Sequence, residues 1–227
     1  MKEYNTLAFG CPHLPFEHKD YLPFLVRIYK AFNCGRVICL GDLVDNHAIN
    51  YHEHDPDGWS PEQEMEEADN HLQKFFEAFP IAWVCRGNHD RLVDRKGRTS
   101  GLPQRCFKSF RDRLNLPYTW KDDFKWIFDG VCYEHGEGYS GDLPHLKAAL
   151  NNRMHTVIAH THHAFGVEYS ANEQDIVMGV STGCGIDRKR YAFEYGRAFK
   201  KKPILGCVVI SHCKRGVNAT PFTMDMT

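Results

Sequence analysis

Apolar residues in this chain come in short runs, and most of the runs stop at a glycine or a polar turn. The first, Thr6–Phe9, reads as a buried strand that ends in Gly10-Cys11-Pro12-His13. From Tyr21 to Phe32 the period lengthens, and Leu22, Leu25, Val26, Ile28, Tyr29 and Phe32 share one helical face. A second strand, Val37–Leu40, stops at Gly41, with Asp42 and Asp45 after it. Residues Asn46–Ser60 form an insertion rich in His, Asp and Trp. Ser60-Pro61-Glu62-Gln63 then reads as a helix start, with Ser as the N-cap and Pro at the first helical position. That helix is expected to run to about Ala78 and to turn Leu72, Phe75, Phe76 and Phe79 inward.

The same pattern returns downstream. Strand Ile81–Cys85 stops at Arg86-Gly87-Asn88-His89-Asp90-Arg91. Leu92–Gly101 is polar and basic and reads as a loop, and Phe107–Leu114 as a helix. Lys125–Phe128 and Val131–Glu134 flank Asp129-Gly130, a hairpin signal, and the second arm leads into His135-Gly136. Leu143–Leu150 is expected to be helical, and Thr156–Ala159 to be a strand ending in His160-Thr161-His162-His163. Phe165–Val180 supplies two more strands, Gly183-Cys184-Gly185 a loop that either lines the site or is a plain turn, and Ile204–Ile210 a last strand. With no repeats, low-complexity segments or linkers, residues 1–227 are read as one domain.

Composition narrows the classes. A formal net charge of −1 gives no global pull toward nucleic acid or membrane, so any basic surface must be local. No apolar run approaches a membrane span, and the first residues lack a signal-peptide pattern. Nine cysteines without a Cys-x-x-Cys pair, several of them inside apolar runs, suit buried thiols in a reducing compartment, so a cytoplasmic location is expected. Fourteen histidines are many for this length and point to metal or phosphate chemistry.

Five strand ends carry ligand-type side chains: Cys11 and His13, Asp42 and Asp45, Asn88, His89 and Asp90, His135, and His160 and His162. One such pair is unremarkable, but its recurrence at five strand ends is not chance. A mixture of His, Asp and Asn suits two cations of intermediate hardness, Mn, Fe or Zn. One bridging carboxylate, for which Asp42 is the candidate, and about three further ligands per ion would leave positions for water and substrate.

Asp-x-His (here Cys11-Pro12-His13), Gly-Asp-x-x-Asp, Gly-Asn-His-Asp, His-Gly and Gly-His-x-His, in that order from residue 5 to about 165, resemble the calcineurin-like metallophosphoesterase superfamily. The resemblance implies an α/β (α+β) fold, a two-sheet β-sandwich flanked by helices with the site at one edge. It assigns His13, Asp42 and His162 to one metal, with Cys11 at the position of the usual Asp. Asp42, Asn88, His135 and His160 would hold the other, Asp42 bridging. It puts His89 near the leaving-group oxygen as a cationic stabiliser or general acid, oriented by Asp90 and Asp45. Arg91 is either a phosphate clamp or a surface charge. The motif neighbourhoods and the compact length also resemble bacteriophage-encoded phosphoesterases.

Two positions depart from the family pattern. Ala159 replaces a Gly, a small change, and Cys11 replaces an Asp, a larger one. A thiolate is softer than a carboxylate and favours Zn or Fe(II) over Mg or Mn. Cys11 either tunes the first metal, or leaves that site weak, or marks a degenerate binding module. The expected substrate is a phosphate ester, with a lean to a phosphodiesterase acting on nucleic acid or a nucleotide. The alternatives are a phosphomonoesterase, including a protein phosphatase, and a catalytically silent interaction module. Secondary features are His47, His52, His54, Asp55 and Asp57, a substrate-facing lip or a polar loop, and His163, behind the ligands or exposed. Arg188-Lys189-Arg190 and Lys200-Lys201-Lys202 flank Tyr191, Phe193, Tyr195 and Phe199, a grip for nucleic acid or a basic face over an aromatic core edge.

Overall fold

A computed structural model describes residues 4–51, 57–196, 200–213 and 216–224. The strands are β1 Asn5–Phe9, β2 Cys34–Cys39, β3 Ala82–Cys85, β4 Trp120–Asp123, β5 Lys125–Phe128, β6 Val131–Glu134, β7 His155–Ile158, β8 Phe165–Ala171, β9 Ile176–Thr182, β10 Gly206–Cys213 and β11 Gly216–Thr223. The α-helices are α1 Tyr21–Ala31, α2 Pro61–Ala78, α3 Leu92–Thr99, α4 Phe110–Arg113 and α5 Pro144–Asn152. One sheet runs β11-β10-β1-β2-β3-β4 and the other β5-β6-β7-β9-β8. This is the two-sheet sandwich flanked by helices that the motif resemblance implies.

Alternation along β1 builds the layers. Ala8 faces the second sheet with Ile38, Cys85, Tyr133, Val157, Val180 and Val208, a buried cluster drawn from both sheets. Leu7 and Phe9 point the other way, into a second cluster with Leu25 and Ile28 of α1 and Leu72, Phe75 and Phe76 of α2. Helix α2 begins as expected: the Ser60 hydroxyl accepts from the Gln63 N–H at 3.3 Å while the Gln63 side chain accepts from the Ser60 N–H at 3.0 Å. Helix α5 covers the far face of the second sheet, where the backbone at His145 lies against Gly179. No helix among the described residues is long and apolar enough to cross a membrane.

The structure corrects three sequence readings. Leu92–Gly101 is not a loop, because Leu92–Thr99 is helical. Only Leu92 and Gly97 of that helix are buried, so it shows no apolar stripe. The helix expected over Phe107–Leu114 shrinks to Phe110–Arg113. Ile204–Ile210 is not the last strand: β10 is followed by β11, which carries Pro221 at the sheet edge.

Candidate metal centre

Parallel pairing gathers the strand ends. β1 pairs parallel with β2 and β2 with β3, and in the other sheet β6 pairs parallel with β7. Their carboxyl ends therefore open on one edge of the sandwich, where the segments after Phe9, Cys39, Cys85, Glu134 and Ile158 meet. Cys11, His13, Asp42 and His160 all sit at left-handed φ, between 50° and 58°. Non-glycine residues rarely adopt that region, and its recurrence at functional loops is a known use of stored backbone strain. Gly41 and Gly87 are required by proximity: a Cβ on Gly87 would lie 2.1 Å from Asp42 Oδ1, and one on Gly41 2.7 Å from the Gly87 nitrogen.

Donor atoms of Cys11, His13, Asp42 and His162 lie within 4.8 Å of one another, as do those of Asp42, His135 and His160, so Asp42 belongs to both sets. Asn88 Oδ1 is 2.9 Å from His135 Nε2, which adds a fourth donor to the second set. Imidazole nitrogens face each other directly, His13 Nε2 to His162 Nε2 at 3.1 Å and His160 Nδ1 to His135 Nε2 at 3.1 Å. Converging lone pairs of this kind fit a cation between them. The tautomers agree. His135 Nδ1 donates to the Leu40 carbonyl at 2.7 Å, and His13 Nδ1 lies 2.6 Å from Asp45 Oδ1, which leaves each Nε2 as the inward lone pair. Burial above all brings His160 down to about 4 and holds His162 well below its ordinary value, so both favour the neutral, ligating form.

Cys11 is fully buried and its sulfur accepts the His160 N–H at 3.3 Å. Burial, then the Asp42 carboxylate, pushes its thiol well above the usual range, so a thiolate here requires a cation beside it. Gly183-Cys184-Gly185 braces this loop, the Gly185 N–H donating to the Cys11 carbonyl at 2.9 Å.

His89 lines the open side of the cluster. Its Nδ1 is 2.7 Å from the Asp45 carbonyl and 3.3 Å from Asp45 Oδ1. Burial opposes its cation, but Asp42 and Asp45 outweigh burial and push it up to about 10. For Asp45, burial would raise the carboxyl, yet the bonds from His13 and His89 hold it below the usual carboxylate range. Asp90 does not share the orienting task assigned to it. Its carboxylate accepts N–H groups of Gly87 at 2.8 Å, Asp42 at 2.9 Å and Val44 at 3.3 Å, and so ties the Gly41 turn to the Gly87 turn. Burial and the Asp42 charge push it up to about 6. Arg91, a candidate phosphate clamp, is tied to the Glu137 carboxylate and donates from Nε to the Gly87 carbonyl at 3.1 Å. His47, expected in a substrate-facing lip, is buried against Phe16 and Tyr191, and Asn50 Nδ2 lies 3.2 Å from its Nδ1. His52, His54 and Asp55 lie outside the described residues.

A groove of about 1520 Å³ opens over the cluster. Lys19, Arg188, Lys189, Arg190, Lys201 and Lys202 line it, and His163 lies on its wall. Of the aromatics of the basic segment, Phe193 lines the groove as well and Tyr191 packs inward. The Phe193 ring is 5.6 Å from that of His13, and Tyr191 is 5.3 Å from Phe16. Tyr195 and Phe199 belong to a stretch whose side chains are not described. Two functional neighbours escaped the sequence reading. Trp59 lines the groove from the end of the insertion. Glu64 of α2 is buried and accepts the N–H groups of His47 and Ala48, each at 2.7 Å, which fixes the loop after Asp45.

A family model described as calcineurin-like phosphoesterase matches residues 4–199. No curated protein matches the chain significantly. Among solved structures, the chain is similar to Vps29 of Chaetomium thermophilum at 13% identity and a TM-score of 0.47, covering 97% of this chain and 95% of that one. It is similar to Yfce, a phosphoesterase from E. coli, at 15% identity and a TM-score of 0.41, covering 97% and 100%. Pseudomonas putida nuclease MPE resembles it at 13% identity and a TM-score of 0.38, covering 91% and 84%.

Proposed function

Because the chain belongs to the calcineurin-like phosphoesterase family, we propose that it hydrolyses phosphate esters at a two-cation site, as a phosphodiesterase acting on nucleic acid or a nucleotide. One observation carries the reading: two donor sets, one with Cys11, His13 and His162 and one with Asn88, His135 and His160, meet at the single carboxylate of Asp42. Two divalent cations held there would lower the pKa of a water and clamp phosphate oxygens during in-line displacement. The thiol of Cys11 favours Zn or Fe(II) for the first set, and the nitrogen and oxygen donors of the second also suit Mn.

The chain's own part in the reaction falls to His89. Its Nδ1 is engaged by Asp45, so Nε2 is the atom available to the groove. As an imidazolium it stabilises charge on the leaving oxygen and can donate the proton that oxygen needs. Asp45 holds both His13 and His89, which couples the ligand to the acid. The lean to diesters rests on the cation-lined groove, whose volume of about 1520 Å³ is far larger than one phosphate requires.

Turnover of bis-p-nitrophenyl phosphate against p-nitrophenyl phosphate, with reduced protein supplied with Mn, Fe(II) or Zn, tests the reading. Faster diester cleavage and about two ions per chain are expected. Faster monoester cleavage would move the assignment to a phosphatase. No turnover with less than about one ion per chain would leave an interaction module with this fold. His89→Ala should lower turnover by about 10²- to 10⁴-fold while the metal content stays the same. Equal turnover in that variant would remove His89 from the chemistry.

A further inference from the structure

We propose that the groove beside the metal centre is built for a single nucleic-acid strand, with Trp59 as the surface on which an unpaired base stacks. The inference rests on the phosphodiesterase reading and narrows it from nucleic acid or nucleotide to an extended single strand.

Charge supplies the first argument. The chain as a whole is close to neutral, at −1. Yet six Lys and Arg side chains line this one groove, and Arg188, Lys189, Lys201 and Lys202 among them are exposed. Four carboxylates share that lining. Asp42 belongs to the metal sets, Glu17 lies 2.6 Å from His71 Nδ1, the Asp187 carboxylate accepts the main-chain N–H of Lys189 at 2.9 Å, and Glu67 is half-buried on the wall. Cations thus outnumber acids six to four. Lys201 is held by Asp142 on the groove rim. A run of cations along a groove is what a chain of phosphates requires, and one phosphate would not need it.

Trp59 supplies the second. It lies stacked on Phe16, ring centroids 5.8 Å apart and planes 25° from parallel, and still lines the groove half-buried. Its main-chain N–H donates to the Tyr191 hydroxyl at 3.2 Å, and the Arg190 guanidinium lies 5.7 Å from its ring centre and 5.6 Å from that of Phe16. An indole fixed on its inner side and reached by a guanidinium is a preformed platform for a base with an open π-face. Bases in a duplex keep their faces to one another and cannot use it.

Depth supplies the third. The innermost ligands lie below the surface, His13 at 0% exposure, Asp42 at 1% and His135 at 4%, while Asn88, His160 and His162 are half-buried. A scissile phosphate must descend to them, which a flexible single strand does more readily than a stiff duplex.

The test is binding of a fluorescein-labelled deoxythymidine strand of about twelve nucleotides to the metal-loaded full chain, read by anisotropy in a stopped-flow instrument ahead of turnover. The strand should bind more tightly than a duplex of equal length or a mononucleotide. Trp59→Ala should weaken it by about 5- to 150-fold, and Trp59→Phe should restore most of the loss. Since Trp59 also packs on Phe16, a second variant is needed. Arg188→Ala with Lys189→Ala, both at exposed positions, should make the slope of log K against log salt shallower by about 1.4. Equal or tighter binding of the duplex would overturn the proposal. So would a mononucleotide binding as tightly as the strand, or unchanged affinity and salt slope in the variants. Turnover of bis-p-nitrophenyl phosphate by the same preparation reads the metal centre alone. Turnover without strand binding sinks the groove assignment, and strand binding without turnover sinks the hydrolase reading while keeping the groove.

Discussion

Nδ1 of His13 lies 2.6 Å from Oδ1 of Asp45, and both side chains are almost wholly buried. The contact fixes the tautomer that turns His13 Nε2 toward the metal set, and the same carboxylate oxygen lies 3.3 Å from His89 Nδ1. Asp45→Asn keeps the size but removes the charge and can present an N–H to Nδ1. Metal affinity at the first set should fall by about 10- to 100-fold, measured by competition with a fluorescent chelator. Unchanged affinity would show that Asp45 serves His89 alone.

Cys11 has the opposite relation to its site, since the pocket around it disfavours the charged thiolate until a cation is present. Cys11→Asp should shift the preferred cation toward Mn or Mg, read as the ratio of activities in Mn and Zn and as the metal retained after dialysis. An unchanged preference would mean that the sulfur, though within 4.8 Å of the other donors, does not ligate.

The gathering of the donor residues was legible because each lies at the end of a short apolar run, with a glycine beside most of them, a local signal that survives without knowledge of pairing. What was lost depends on partners distant in the chain. Asp90 reads like a side chain for its neighbour His89, but its oxygens are taken by amides of Gly87, Asp42 and Val44. Glu64 lies on the same helical face as Ala68 and Leu72, where a lone carboxylate among apolar residues was the available clue. Strand β4, Trp120-Lys-Asp-Asp, has one apolar residue and is a strand because it pairs with β3. Of the described aromatics of the basic segment, Tyr191 packs on Phe16, and Phe193 packs on His13 while still lining the groove, where Trp59 of the insertion joins it.

Asp90 gathers three main-chain N–H groups on a carboxylate that is 1% exposed. Asp90→Ala would leave all three without their acceptor and free the Gly41 turn from the Gly87 turn. The expected cost is about 2–4 kcal/mol of stability by urea unfolding, with weaker metal retention because Asp42 loses its anchor. A variant as stable as the parent would show that water replaces the carboxylate.

Glu64 carries the pH dependence that can be separated from the metals. Burial, helped by the Asp45 charge and opposed by the N–H groups of Ala48 and His47, pushes its carboxyl from 4.5 up to about 7. The folded state thus keeps this proton after the unfolded chain has lost it. Stability from this group is therefore full below about pH 4.5 and falls as pH rises to about 7. The loss across that window is roughly 3 kcal/mol at most. Glu64→Gln does not titrate, and its amide oxygen can still accept one of the two N–H groups. The difference in unfolding free energy, parent minus variant, should therefore shrink by about 2–3 kcal/mol between pH 5 and pH 8, measured in urea on metal-loaded protein. A difference that stays constant with pH would mean that Glu64 is ionised throughout, its two N–H bonds at 2.7 Å outweighing burial.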